Sequence, residues 1–226
     1  MSTYILMKIL ESAPSRYDRG IRWLTFGKLD KIYDRLTAHI QPGQRVLDIG
    51  CGTGALSLRA ARRNAIVKAI DVNSQMLEIA RQRANSTQLS SQIEFCEMGV
   101  AELGNEARES YNVIMSGLCF SELTTDELNY TLAQSKRILK SGGLLLIADE
   151  VSPPGIINKI LTGIVRIPLL MITYLFTQTT TRAIKNLPDR IANEKFSILA
   201  LRFNKLKNFI EIVAQKNNCR TNCQFV

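Results

Sequence analysis

The sequence predicts an α/β fold, a doubly wound sheet of about seven strands whose last strand runs antiparallel. Three observations carry that expectation. Short apolar runs alternate with helical stripes between residues 45 and 148, as they do where parallel strands are joined by crossover helices. A glycine-rich turn, Gly50-Cys51-Gly52-Thr53-Gly54, follows the first of those runs, at the edge where a doubly wound sheet receives its ligand. Two β-like runs, 196–202 and 209–213, then close the sheet as a hairpin.

Taken in order, Leu29, Ile32, Tyr33, Leu36 and Ile40 form a helical stripe, which Gln41-Pro42-Gly43 breaks. Arg45–Ile49 reads as a buried strand, and the glycine turn leads into a helix over Ala55–Arg63. A second strand covers Ala65–Asp71, and a helix follows from Ser74 to Ala84 with Ser74 as its N-cap. Ile93–Cys96 and Tyr111–Ser116 are the third and fourth strands. A helix over Thr125–Leu139 stops at Lys140-Ser141-Gly142-Gly143, a basic residue followed by glycine. Gly143–Ala148 is a fifth strand, apolar throughout as central parallel strands are. After Pro153-Pro154 the alternation ends; residues 156–176 read as one or two apolar helices, and a loop follows them.

Composition sets the class. The 226 residues are 46% hydrophobic and 22% charged, which excludes a disordered chain and a collagen-like repeat. The net charge of +9 is unevenly spread: +4 over residues 1–45, −3 over 46–150 and +8 over 151–226. Five cysteines (Cys51, Cys96, Cys119, Cys219 and Cys223) are an odd number, which argues for reduced thiols and a cytoplasmic protein. The opening residues lack the order of a secretory signal. The longest uncharged stretch, 167–181, has 15 residues, short of the ~20 needed to span a bilayer. No metal is expected, because Cys219 and Cys223 have no further ligands near them.

The chemistry centres on Val46-Leu47-Asp48-Ile49-Gly50-Cys51-Gly52-Thr53-Gly54-Ala55. Strand, glycine turn and helix in this order aim backbone N–H groups at a ligand. Asp71, 21 residues after Gly50, ends the second strand, where a carboxylate can accept both hydroxyls of a ribose. The same turn satisfies the loose dinucleotide pattern G-x-G-x-x-G/A. Asp48 favours another ligand: it would repel a pyrophosphate, yet it suits a positive ammonium group.

This segment resembles motif I of class I S-adenosylmethionine-dependent methyltransferases, which have a Rossmann-like fold. Ile70-Asp71-Val72-Asn73-Ser74-Gln75-Met76-Leu77 resembles their ribose-binding motif, Tyr111–Leu123 their fourth-strand motif and Leu139–Leu144 the turn into strand five. The resemblance implies a methyl transfer with S-adenosyl-L-methionine as cofactor. It implies that Asp48 and the backbone of Gly50, Cys51, Gly52 and Gly54 hold the methionine portion, and that Asp71 holds the ribose. Val72 and Met76 would flank the adenine, Gly99, Val100 and Ala101 would edge it, and Ser116, Gly117 and Leu118 would lie under the sulfonium. Gly99 stands where many relatives carry an acid for the adenine amino group, so Glu97, Glu102 or the backbone alone must read it.

The ubiquinone/menaquinone-biosynthesis branch is similar through Ser15–Gly27. With Met115–Leu123 and Gln178–Ala183, the whole chain resembles corrinoid protein-associated methyltransferases. The implied organisation is amino-terminal lid helices over 1–40, a cofactor-binding core over 41–150, and over 151–226 an acceptor-side helical insertion with the terminal hairpin. The expected partner is a small-molecule acceptor. A corrinoid protein, or a peripheral membrane contact through 156–176 with Lys159, Arg166, Arg182 and Lys185, is a further expectation. Nucleic acid is disfavoured, because the basic residues of the last third lack interleaved aromatics.

Methyl transfer from a sulfonium is an in-line displacement, so alignment and desolvation suffice and no nucleophilic side chain is required. The catalytic residues are therefore left unassigned. His39, the sole histidine, is expected off the catalytic edge. Asp149 and Glu150 end strand five on the ligand side, either facing an acceptor or solvated at a helix cap. Tyr17 is read as a lid or packing residue, Cys51 as a small turn residue and Cys119 as core.

Overall fold

Short runs rich in valine, leucine and isoleucine are buried on both faces and make the centre of a seven-stranded sheet. A computed structural model describes residues 28–152, 183–205 and 207–217. The expected amino-terminal segment 1–27 with Tyr17, the apolar stretch 156–176, and Cys219 and Cys223 lie outside these residues. The described elements are α1 (Lys28–Thr37), β1 (Arg45–Ile49), α2 (Ala55–Ala61), β2 (Ile66–Asp71), α3 (Ser74–Ser86), β3 (Ile93–Glu97), β4 (Tyr111–Gly117), α4 (Thr125–Ile138), β5 (Leu139–Glu150), α5 (Leu187–Asn193), β6 (Phe196–Phe203) and β7 (Phe209–Lys216).

The strand order is β3-β2-β1-β4-β5-β7-β6. β1 to β5 pair in parallel, and β7 is antiparallel to both β5 and β6. The order reverses between β1 and β4, so the chain leaves those strands in opposite directions and a crevice opens beyond their carboxyl ends. Successive strand residues alternate between two cores. Val46, Val67, Val113 and Leu146 pack with Leu36, Leu56 and Leu77 from α1, α2 and α3. Leu47, Ile114, Leu145 and Ile212 pack with Leu128, Leu132 and Ile191 from α4 and α5.

Ion pairs fasten α1 across the first of these layers. Arg59 of α2 bonds both Asp30 at 2.6 Å and Asp34 at 2.7 Å, and Arg35 reaches Glu211 of β7 at 2.6 Å. The one helix described within the expected lid region is thus part of the core. Among the described residues no helix is long and apolar enough to cross a membrane.

Three local expectations need correction. Asn73, not Ser74, caps α3: its side-chain oxygen accepts from the N–H groups of Gln75 and Met76 at 3.0 and 3.2 Å. Asn73→Ala is expected to lower stability by about 1 kcal/mol, read as a lower denaturant midpoint with an unchanged slope. Second, β5 begins at Leu139, not Gly143. Leu139 already pairs with Tyr111, and the register shift before Val113 absorbs the extra residues, with Gly142 at φ +72°. The glycines expected to stop the helix serve this irregularity. Third, a seven-residue helix, α5, stands where a loop was expected, with Pro188 in its first turn and Leu187 and Ile191 buried.

Candidate cofactor site

The glycine turn is built by three left-handed residues, Gly50, Gly52 and Gly54, at φ +67°, +51° and +80°. It bends back onto the carboxyl ends of β1 and β2, where Cys51 N–H donates to the Ile70 carbonyl at 2.9 Å. Asp71, at the end of β2, holds the turn from the other side. One of its oxygens accepts the Gly52 N–H at 2.7 Å and the other the Asn73 N–H at 2.8 Å. Both bonds come from backbone N–H groups and fix the carboxylate in place.

Beyond this turn lies a cavity of about 420 Å³, within the ~300–1,000 Å³ of small-ligand sites. Gly50, Gly52, Asp71, Val72, Met76, Val100, Ala101, Gly117 and Leu118, all expected from the sequence, line it together. So does Gly99, expected with Val100 and Ala101, and so do Asn73, Met98, Cys119, Glu122, Leu123 and Glu127, for which the sequence implies no contact. A Cβ at Gly52 would meet nothing within 4 Å; the turn leaves open space there for a ligand.

Asp48, Cys51, Gly54 and Ser116 do not line the cavity and stand behind its wall. Gly54 is the N-cap of α2. Ser116 is fully buried and donates to the Ile49 carbonyl at 3.0 Å. Asp48 is 1% exposed; one oxygen accepts from the Ser57 hydroxyl at 2.5 Å and the other has no partner. Burial pushes its carboxyl up to about 7, against the Ser57 hydrogen bond and with help from the charge of Asp71. An unpartnered buried carboxylate oxygen is costly, and a cation drawn to the turn would offset that cost.

The stretch of cavity wall that includes Ala101 is pinned from α4. Tyr130 donates its hydroxyl to the Ala101 carbonyl at 3.1 Å, and Arg137 bonds the carbonyls of Leu103 and Gly104 at 2.9 and 3.1 Å. Glu102, one of the acids expected to replace the missing carboxylate at position 99, instead accepts the Gly99 N–H at 3.0 Å. Neither it nor Glu97 lines the cavity.

Cys119 was expected in the core. It packs against the layer beneath α4 and α5 and also lines the cavity, with its side chain in the space left by the absent Cβ of Gly50. Burial, then the charges of Glu122 and Asp149, raise its thiol well above the usual range. Burial, then Asp48 and Asp71, do the same to Cys51, so neither is a thiolate nucleophile. Asp149 and Glu150 are both buried and neither lines the cavity. Asp149 accepts the N–H groups of Ser121 and Glu150, tying the loop after β4 to β5. His39 is exposed and follows the end of α1, at the amino-terminal edge of the sheet. Among the described residues no group of His, Cys, Asp and Glu could hold a metal ion.

Residues 46–143 match the family of methyltransferase domains. The chain is 32% identical over 138 residues to a ubiquinone/menaquinone biosynthesis C-methyltransferase of Rhizobium etli, covering 58% of this chain and 51% of that protein. It is 30% identical over 159 residues to the protein of the same name from Rhodopseudomonas palustris, covering 66% and 61%. These residues form a class I S-adenosylmethionine-dependent methyltransferase domain. The chain spans about half the length of the curated relatives it matches.

The methyltransferase fold also has solved counterparts. A geranyl diphosphate C-methyltransferase from Streptomyces coelicolor superposes with a TM-score of 0.65 at 12% identity, over 89% of this chain and 84% of that one. The [4+2]-cyclase SpnF superposes with 0.66 at 16%, over 84% and 82%. At such identities the likeness is one of fold. The cavity suits the domain's cofactor: a fixed carboxylate for ribose hydroxyls, an open glycine turn, apolar walls for a base, and a buried acid below.

Proposed function

We propose that the protein transfers a methyl group from S-adenosylmethionine to a small-molecule acceptor. The observation that carries this reading is the cavity itself, which brings Asp71, Gly52, Val72, Met76, Val100, Ala101 and Leu118 together on the methyltransferase domain. In this reading Asp71, which lines the cavity at the end of β2, accepts the ribose hydroxyls. Gly50 and Gly52 let the chain approach the methionine portion, and Asp48 supplies the negative field beneath its ammonium. Val72, Met76, Val100 and Ala101 enclose the adenine, whose polar edge is read by backbone. Gly117 and Leu118, at the end of β4, face the sulfonium.

The cofactor supplies an activated methyl group, whose carbon–sulfur bond breaks as the acceptor's lone pair forms the new bond. The chain's residues align and desolvate these reactants. Only an acceptor that must lose a proton needs a base, and the acids present on the cavity wall are Asp71, Glu122 and Glu127.

Titration with S-adenosylhomocysteine tests the site: wild type should bind, and an absence of heat at about 1 mM ligand overturns the reading. Asp71→Ala should weaken binding by about ten- to a hundredfold, the worth of charge-assisted hydrogen bonds at about 1.5–3 kcal/mol.

SpnF shows that this fold is also shared by a cyclase, so turnover and not binding decides the second reading, an accessory protein serving a corrinoid protein partner. Labelled methyl donor in a cell extract separates the two. A methylated metabolite supports the enzyme, whereas bound donor, no product and a stoichiometric protein partner support the accessory role.

A further inference from the structure

We propose that the β6–β7 edge of the sheet is a docking surface for an anionic lipid bilayer. The inference does not depend on methyl transfer. β6 is the last strand of the sheet, so one side of its backbone has no neighbouring strand among the described residues. Such edges are usually blunted by charge or by a covering element. Here Leu199, Leu201 and Phe203 are 57%, 37% and 42% exposed. In register, Leu201 faces Ile212 and Phe203 faces Ile210, both fully buried in the layer beneath α4 and α5. The exposed side chains therefore extend the core's apolar surface out to the sheet edge. Leu199 sits at the bulge between Ile198 and Ala200 and adds to the same strand.

Charge identifies the occupant. Between Glu194 and Glu211 the chain carries Lys195, Arg202, Lys205 and Lys207 and no acidic residue, and all four basic residues are exposed. An apolar row rimmed by cations suits the boundary of an anionic membrane, where the row enters the acyl region and the cations meet headgroups. A second copy of the chain would bring the same four cations against themselves. A nucleic acid would leave the leucines and phenylalanine without partners.

Position supports the same occupant. β7 begins at Phe209 opposite Glu150, and β6 ends at Phe203 opposite Ile210. The turn between them thus lies at the carboxyl edge of the parallel strands, the edge that also carries Gly50 and Gly117 of the cavity. Docking through the hairpin would set that edge toward the bilayer.

The test is flotation of the full chain with vesicles of phosphatidylcholine alone and with about one-third phosphatidylglycerol. Binding should favour the anionic vesicles by at least about fivefold and fall with added salt. Leu201→Ser with Phe203→Ser should lower it by about tenfold. Lys205→Glu with Lys207→Glu should lower it by at least about fivefold for each charge reversed. Circular dichroism and melting temperature establish that both variants fold. Equal binding to the two vesicle types, no binding at all, or variants that float like wild type would each overturn the proposal. So would a dimer in sedimentation that Phe203→Ser dissociates, since the surface would then belong to a second copy.

Discussion

Gly50→Ala is expected to weaken S-adenosylhomocysteine binding by a hundredfold or more and to lower the melting temperature as well. Two costs combine at this position. At φ +67° an L-residue pays about 1–2 kcal/mol for the left-handed conformation. The added Cβ would also overlap the Cβ and Sγ of Cys119, and relieving such an overlap typically costs a further 1–3 kcal/mol or so. The relief must move either the glycine turn or the loop after β4, and both line the cavity. Cys119→Gly separates the two costs. In that background the overlap disappears, and Gly50→Ala should retain only the conformational penalty, about a tenfold loss by the same arithmetic. Equal effects of Gly50→Ala in both backgrounds would show that the contact between the two loops does not matter.

The same pair of residues shows where the sequence is readable and where it stops. β1 has the bounds expected of it, Arg45–Ile49, because Val46, Leu47 and Ile49 are buried on its two faces and glycine closes it. Asp71, Val72 and Met76 fall where the motif puts them, because local backbone geometry carries them from strand end to helix start. Cys119 is different. Its neighbours are apolar, which reads as core, and only the missing Cβ of Gly50, nearly seventy residues away in sequence, creates the space it fills. Met98 and Leu123 likewise reach the cavity through loops folding over the sheet edge, and Glu127 reaches it from the first turn of α4, tertiary outcomes with no period in sequence. Asn73 and Ser74 are adjacent residues that can both cap a helix; the structure uses Asn73 because its side-chain oxygen takes two N–H groups. α5 has only two buried apolar positions in seven residues, too few for a helical stripe to show. The lysine–glycine stop after α4 was a sound signal with another use, since a helix leading directly into a strand needs somewhere to absorb its register.

Stability of the ligand-free protein is expected to fall between about pH 4 and pH 7 through Asp48, the reverse of an ordinary salt-bridged carboxylate. The carboxyl titrates near 3.9 in an unfolded chain and at about 7 in the fold. Below pH 4 it is protonated in both states and contributes no pH dependence. Between the two values the unfolded chain has released its proton and the fold has not, so each rise in pH favours unfolding by up to about 1.4 kcal/mol per unit. Above pH 7 both states are ionised and the slope returns to zero. Asp149, also fully buried and raised to about 7, adds a slope of the same sign. The informative measurement is the denaturant stability of wild type and Asp48→Asn across this range. The difference between them should grow by a few kcal/mol in favour of the variant as pH rises, and a constant difference would sink the account. Cofactor binding should run the other way. A ligand ammonium favours the charged form of Asp48, so affinity should increase with pH up to about 7 in wild type and lose that dependence in Asp48→Asn. On this account one acid destabilises the ligand-free fold near neutrality and favours a cationic ligand, and measuring both slopes on one pair of proteins tests whether a single side chain sets them.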